Sequence, residues 1–250
     1  MSTEHKITDE DALVMLLANV VVVLHRPQDS VNVGSVIRAM KNMGMSDLRL
    51  VQPEPLERST ILRVAHGGED LLDQMRSYAG LDEAIADTHY VVGTAALTHK
   101  ARPQTTAIRE TSVAWAARLR QGKLAFLFGQ EDNGLNHDAL DRCHLLVTLP
   151  TNPTYPALNL AQSVLLLLYE VRMAVMAGVP FAASPTPVAT QAELERIFQI
   201  SATLLGSIGF FKGNQTAVMR KLRQIVYKAA LSPEEAALVT AILRRVERGT

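Results

Sequence analysis

Three stretches of this chain carry side chains able to do chemistry, and each directly follows a short apolar run. The first is Asn32-Val-Gly-Ser-Val-Ile-Arg38. Val33, Ile37 and Met40 form an apolar stripe at helical spacing. Asn32 is of the type that caps a helix start. An arginine near exposed helix amides suits a phosphate group, while a surface arginine on an amphipathic helix fits the same spacing. The second is Phe126-Leu-Phe-Gly-Gln-Glu-Asp-Asn-Gly-Leu, where Glu131 and Asn133 can hydrogen-bond a ribose or an amine and Gly129 lets a ligand approach the backbone. Asp-Asn-Gly is also ordinary turn chemistry. The third is Leu149-Pro-Thr-Asn-Pro-Thr-Tyr-Pro-Ala-Leu-Asn-Leu, a proline-stiffened loop running into an apolar helix. There Asn159 can cap the helix or bond a ligand, and a rigid connector accounts for the same residues. A weaker fourth stretch, Val91-Val-Gly-Thr-Ala-Ala, ends in residues small enough to leave room for a ligand or for close packing.

These stretches need a scaffold that brings strand ends together. Residues 20–24, 48–51, 90–93, 124–128 and 145–149 read as short buried strands. Residues 33–43, 81–86 and 108–119 read as helices between them, and a long helix runs from 158 to about 177. Strands alternating with helices predict an α/β domain with a mainly parallel sheet, whose ligands bind beyond the carboxyl ends of the strands. Residues 179–190, rich in proline, form the clearest linker. Beyond it, 191–208, 215–227 and 233–247 read as helices, the last with Pro233 after a Ser232 cap and Glu235 three residues on from the serine. The expected organisation is an extension over 1–18 (polar and frayed over 1–9), a main domain over 19–178, the linker, and a small helical module over 191–250.

The 250 residues balance at zero net charge, which by itself argues against a strong nucleic-acid binder. The charges are uneven, however. Residues 190–250 hold nine Lys and Arg against five Asp and Glu. Either an anionic partner or a solvated helical face explains this. The single cysteine, Cys143, offers no intrachain disulfide and reads as small buried filler. The apolar run 13–24 is too short to span a bilayer, is broken by Asn19, and precedes no cleavage pattern, so a cytoplasmic location is expected. No G-x-G-x-x-G follows the first strand and no P-loop occurs. The seven histidines show no metal-ligand spacing, so no metal is expected.

The combination resembles the SPOUT superfamily of RNA methyltransferases, in its TrmH/TrmJ branch. Asn32-Val-Gly-Ser-Val-Ile-Arg38, Phe128-Gly-Gln-Glu131 with Gly134-Leu135, and Leu149-Pro150 with Leu158-Asn159-Leu160 resemble that branch's three motifs in order and spacing. Phe210, Phe211, Asn214 and the run from Met219 to Ile225 resemble the helical extension of its tRNA-modifying members. The resemblance implies a deep trefoil knot, a homodimer whose site draws on both subunits, and S-adenosylmethionine as cofactor. It implies methyl transfer to a ribose 2′-hydroxyl of RNA, at a cytidine or uridine of the tRNA anticodon region. A relative acting on ribosomal RNA, or a non-catalytic RNA-binding relative, is the alternative. Carried onto this chain, the cofactor touches Thr94, Ala95, Ala96, Gly129, Leu149, Pro156, Ala157, Leu158 and Asn159. Arg38, Asn32 and Glu131 serve catalysis, with Glu131 supporting Arg38 across the subunit interface. Arg220, Lys221, Arg223 and Lys228 hold the RNA body. The chain departs from the pattern at Pro156 and Ala157, where the family often has serine, and at Gln130, where arginine is common.

Overall fold

The computed structural model describes residues 9–95, 105–112, 114–177, 186–211 and 213–248. Seven strands form one sheet: β1 (Val20–His25), β2 (Asp47–Val51), β3 (Arg76–Tyr78), β4 (Tyr90–Thr94), β5 (Thr105–Ala107), β6 (Leu124–Phe128) and β7 (Leu145–Thr148). Their order is β3-β2-β1-β6-β4-β7-β5, and every pairing is parallel. The main domain's helices are α1 (Asp9–Leu17), α2 (Ser30–Met43), α3 (Arg58–Val64), α4 (Glu69–Gln74), α5 (Leu81–Ala84), α6 (Ile108–Ser112), α7 (Trp115–Gln121), α8 (His137–Asp141) and α9 (Leu160–Met176). Three more follow: α10 (Gln191–Ser207), α11 (Gln215–Ala229) and α12 (Pro233–Glu247).

A parallel sheet covered on both faces needs strands apolar on both sides. β1 is buried throughout and divides by alternation. Val20, Val22 and Leu24 enter a core with α2, α7 and α9. Val21 and Val23 enter a second core with Ala84, Leu135, Ala139, Leu140 and Cys143. Cys143 is buried filler as expected, its Sγ filling the space that a Cβ on Gly93 would need. Gly34 is glycine for a similar reason, since a Cβ there would come 2.7 Å from the Ile61 carbonyl oxygen where α2 crosses α3.

Several expectations are revised. The five expected strands are present, joined by two three-residue strands, β3 and β5, that lie on the two edges of the sheet. The single helix expected over 108–119 is two helices, α6 and α7. The second swings Trp115 into the core edge-on against Phe126, with ring centroids 5.2 Å apart. Within the expected extension over 1–18, Asp9–Leu17 form α1, which packs on α7 and α9, so Asp9, expected to be frayed, is helical. Asn32 does not cap α2. Asp29 does, its carboxylate accepting from the Val31 amide at 2.7 Å.

The three C-terminal helices enclose a small core of Ala189, Leu194, Ile197, Phe198 and Ala236. Capping boxes start α10 at Thr190 with Glu193 and α12 at Ser232 with Glu235. This module is fastened to the main domain. Gln191 and Ala192 donate backbone hydrogen bonds to Thr88 and Ala86. Tyr227 stacks on His144 at 3.9 Å between centroids, and Tyr90 flanks the other side of that imidazole at 4.6 Å. Of the expected linker, residues 179–185 lie outside the described residues.

Candidate active site

The carboxyl ends of β4, β6 and β7 open into one cleft of about 340 Å³. Thr94, Ala95, Gly129, Leu149, Pro156, Ala157 and Leu158, all expected to touch a ligand, line it together. Ala96 lies outside the described residues. Asn159 stands just beyond the wall as the cap of α9. Phe128, Leu135 and Leu160, read as parts of the motifs but not as ligand contacts, also line the cleft, and sequence reasoning missed Leu140, Val147 and Ser163. Their position close to the recognised motifs was the available signal.

The glycine at 129 has a different reason from the one expected. A Cβ there would collide with the backbone of Gly134 and Leu135, because residues 130–134 fold back as a tight loop closed by Gln130 and Gly134. The glycine shapes the loop, and the loop forms the wall.

At one rim of the cleft, Glu131 fastens the loop after β6 to the entry of α2. Its carboxylate accepts from the amides of Gln28 and Asp29 at 3.2–3.3 Å and from the Asn32 carboxamide at 3.1 Å. A carboxylate held at the residues that lead into a helix is favourably placed near the positive end of the helix dipole. Asn32 in turn accepts from Asn159 Nδ2 at 2.8 Å, and Asn159 Oδ1 accepts from the amides of Ala161 and Gln162. One polar chain therefore connects the loops after β1, β6 and β7.

Arg38 is not part of this chain. It lies exposed on α2, on the same face as Val31 and Ser35, makes no hydrogen bond or ion pair among the described residues, and does not line the cleft. Within one chain Glu131 engages Asn32 and backbone amides and makes no bond to Arg38.

The cleft's described lining holds Glu131 and Asp132 and no lysine or arginine. Mostly apolar walls with two carboxylates at the mouth suit an organic ligand that carries positive charge, and they disfavour a nucleoside phosphate. The volume falls within the roughly 300–1,000 Å³ of small-molecule sites. S-adenosylmethionine, with its sulfonium and amino group, meets these requirements. Among the described residues no group of three His, Cys, Asp or Glu side chains could hold a metal ion. No helix among them is long and apolar enough to cross a membrane.

The four expected RNA-holding cations divide into two pairs. Arg220 pairs with Asp141 of α8 at 2.9 Å. Arg223 is 9% exposed, grips both carboxylate oxygens of Glu195 and lies over the Phe198 ring at 4.3 Å. In the structure this side chain braces α11 against α10, with its guanidinium committed to Glu195. Lys221 and Lys228 are exposed with no partner among the described residues. Near them His144, sandwiched between tyrosines, accepts from the Val91 amide through Nδ1. Burial and then the Arg118 charge push its pKa down to about 3.

A ligand cleft at the carboxyl ends of a parallel sheet, walled by three strand-end loops that one asparagine–glutamate chain holds in register, is the ligand-binding arrangement of an open α/β sheet. The chain belongs to the SpoU rRNA methylase family, whose sequence profile matches residues 19–169. It is 35% identical over 239 residues to a Pectobacterium atrosepticum protein named tRNA (cytidine/uridine-2′-O-)-methyltransferase TrmJ, covering 93% of this chain and 98% of that one. Among solved structures it is similar to TrmJ from Z. mobilis, with a TM-score of 0.80 and 28% identity over 91% of this chain and 98% of that one. A probable methylase from Haemophilus influenzae matches with a TM-score of 0.62 and 33% identity over 93% and 97%.

Proposed function

We propose that this protein transfers a methyl group from S-adenosylmethionine to the ribose 2′-hydroxyl of a cytidine or uridine in the anticodon region of tRNA. The observation that carries the reading is the hydrogen-bonded chain Glu131–Asn32–Asn159, which sets three strand-end loops around a cleft fit for a cationic cofactor. The near full-length similarity to a cytidine/uridine-2′-O tRNA methyltransferase supports the choice of substrate. Bound S-adenosylmethionine supplies an electrophilic methyl group; orienting and polarising the hydroxyl falls to the protein.

Thr94, Ala95, Gly129, Leu149 and residues 156–158 hold the cofactor, largely through backbone, so the loss of hydroxyls at Pro156 and Ala157 is tolerated. Arg38 grips the phosphate beside the target nucleotide and stabilises the oxygen as it loses its proton to phosphate or water. Arginine stays protonated, so its contribution is electrostatic rather than that of a base.

Because Arg38 stands outside its own cleft, a homodimer in which it reaches the partner's cleft fits best. Supporting this, α9 exposes Leu165, Leu166, Tyr169, Met173 and Met176, and α2, which packs against α9, exposes Val31 on the face that carries Arg38. Apolar stripes of this kind mark interfaces. The knot expected of the family is supported by the placement of β7 between β4 and β5, followed by the return of α9 across α1, α2, α6 and α7. Residues 19–178 then form the catalytic unit and 191–250 the RNA-holding module joined by 179–190, with 1–18 a short extension. A cytoplasmic location fits a tRNA substrate.

The test is transfer of labelled methyl to unmodified tRNA, with nuclease digestion to locate it. Label in a 2′-O-methylpyrimidine nucleoside, lost in Arg38→Ala, is expected. Label in a base, or in ribosomal RNA alone, overturns the reading.

A further inference from the structure

We infer that the groove between α10 and α12 is a phosphate-binding site that holds the RNA backbone through Arg196 and Arg244. The inference rests on the RNA-substrate reading above and moves the main contact off α11. The groove encloses about 240 Å³. It is lined by Arg196 of α10 and by Arg244, Ala236, Ala237, Thr240 and Ala241 of α12. Small lining residues on α12 leave room for a backbone beside the two guanidiniums. The starts of the two helices are tied by the Ala189 amide, which donates to the Leu231 carbonyl at 2.8 Å.

Arg220 is committed to Asp141 and Arg223 to Glu195. Among the module's arginines, Arg196, Arg244, Arg245 and Arg248 are exposed with no ion pair among the described residues, and of these only Arg196 and Arg244 line the groove. The one acid in the groove, Glu193, is held in the α10 capping box, where its carboxylate accepts from the Thr190 amide at 2.7 Å. Glu234 and Glu235 are likewise occupied at Ser232. Two guanidiniums with no ion pair, lining one groove whose only acid is turned to a capping box, match the planar, multi-donor recognition of phosphate that arginine performs better than lysine. Lys221 and Lys228 lie on an open helix face and add only diffuse attraction.

The test measures affinity for an unmodified tRNA transcript across a potassium chloride series. It compares wild type with Arg196→Ala/Arg244→Ala, with Arg196→Lys/Arg244→Lys, and with Lys221→Ala/Lys228→Ala. All remove or exchange exposed side chains, and thermal melts with cofactor titrations check that fold and cleft are intact. The arginine-to-alanine pair is expected to weaken binding about tenfold or more and to flatten the log–log salt slope by about 0.7–0.9 per lost phosphate contact. KM for tRNA should rise while kcat holds. The lysine exchange should restore only part of the affinity, and the α11 pair should lose less than the groove pair. Unchanged affinity and slope in the groove variant, with wild type binding and methylating tRNA, overturns the groove alone. Equal losses in the two alanine pairs overturn it as well, in favour of diffuse attraction. Wild type that binds cofactor but neither binds nor methylates tRNA overturns the substrate reading and the groove together.

Discussion

Replacing Asn159 separates stability from catalysis, because its two side-chain atoms do different jobs. Oδ1 caps α9 through the amides of Ala161 and Gln162 at 2.9 and 3.3 Å, while Nδ2 donates to Asn32 at 2.8 Å. Asn159→Ala loses both. Removing such a cap costs roughly 0.5–2 kcal/mol, and a lost side-chain hydrogen bond adds about 0.5–1.5 kcal/mol. At about 2–4 °C per kcal/mol for a chain of this size, Tm should fall by about 2–14 °C. Asn159→Asp keeps an acceptor over the first amides of α9, where negative charge is favourable by about 0.3–1 kcal/mol. It places oxygen against the Asn32 carbonyl, though, and flipping Asn32 only moves the conflict to Glu131. The aspartate variant should therefore melt within about 2 °C of wild type, since the gained charge and the lost bond nearly offset. Its turnover on tRNA should drop at least about tenfold, an alignment loss worth about 1.4 kcal/mol in the transition state. Melting by circular dichroism and single-turnover methyl transfer measure the two effects. An aspartate variant with wild-type turnover would refute the positioning role of the Asn159–Asn32 bond; one that melts as low as the alanine variant would refute the cap.

Other outcomes follow from the same geometry. Arg38→Ala should cut methyl transfer by about 10²-fold or more yet leave cofactor affinity unchanged by calorimetry, since Arg38 does not line the cleft; Arg38→Lys should recover little of it. Charging the exposed α9 stripe with Leu166→Glu should yield a monomer by sedimentation equilibrium that binds cofactor and does not transfer methyl. Arg223→Ala leaves Glu195 buried without its partner and should destabilise by about 3 kcal/mol in a denaturant melt, the scale of a broken buried pair. The His144 pKa lies below the value of 6.5 expected when unfolded. Its contribution is complete above pH 6.5 and is lost as pH falls toward 3, because only the unfolded chain then binds the proton, at up to about 1.4 kcal/mol per pH unit. His25 and His89, also depressed by burial, act in the same direction. Tm should thus fall between pH 6.5 and 5, and His144→Phe, which keeps the ring stack, should show a shallower fall.

The sheet was legible where strands are buried on both faces. β1 and β6 are unbroken apolar runs because neither side meets water. β3 and β5 were not, because three-residue edge strands such as Arg76–Tyr78 need no apolar run. The cleft was legible as three motifs at strand ends, and its loops do converge. The capping residue was misread because Asp29, Ser30 and Asn32 are all cap-forming types, and only the fold reveals that Glu131 and Asn159 occupy Asn32. Counting positive charges on α11 overlooked its faces. Arg220, Arg223 and Tyr227 recur at helical spacing and turn toward the rest of the protein, whereas Lys221 and Lys228, seven apart, turn outward.

The stack of Tyr227 on His144 joins α11 to the residue that precedes β7, and the far end of β7 leads into the cleft wall at Val147 and Leu149. The two ends of that strand thus belong to two surfaces of the molecule, separated by one rigid segment. The span from the C-terminal helices to the cleft is bridged by the length of one strand. If the C-terminal helices grip the substrate as proposed, that strand acts as a gauge: the target nucleotide is chosen by its distance from the grip, which leaves the base at the measured position open.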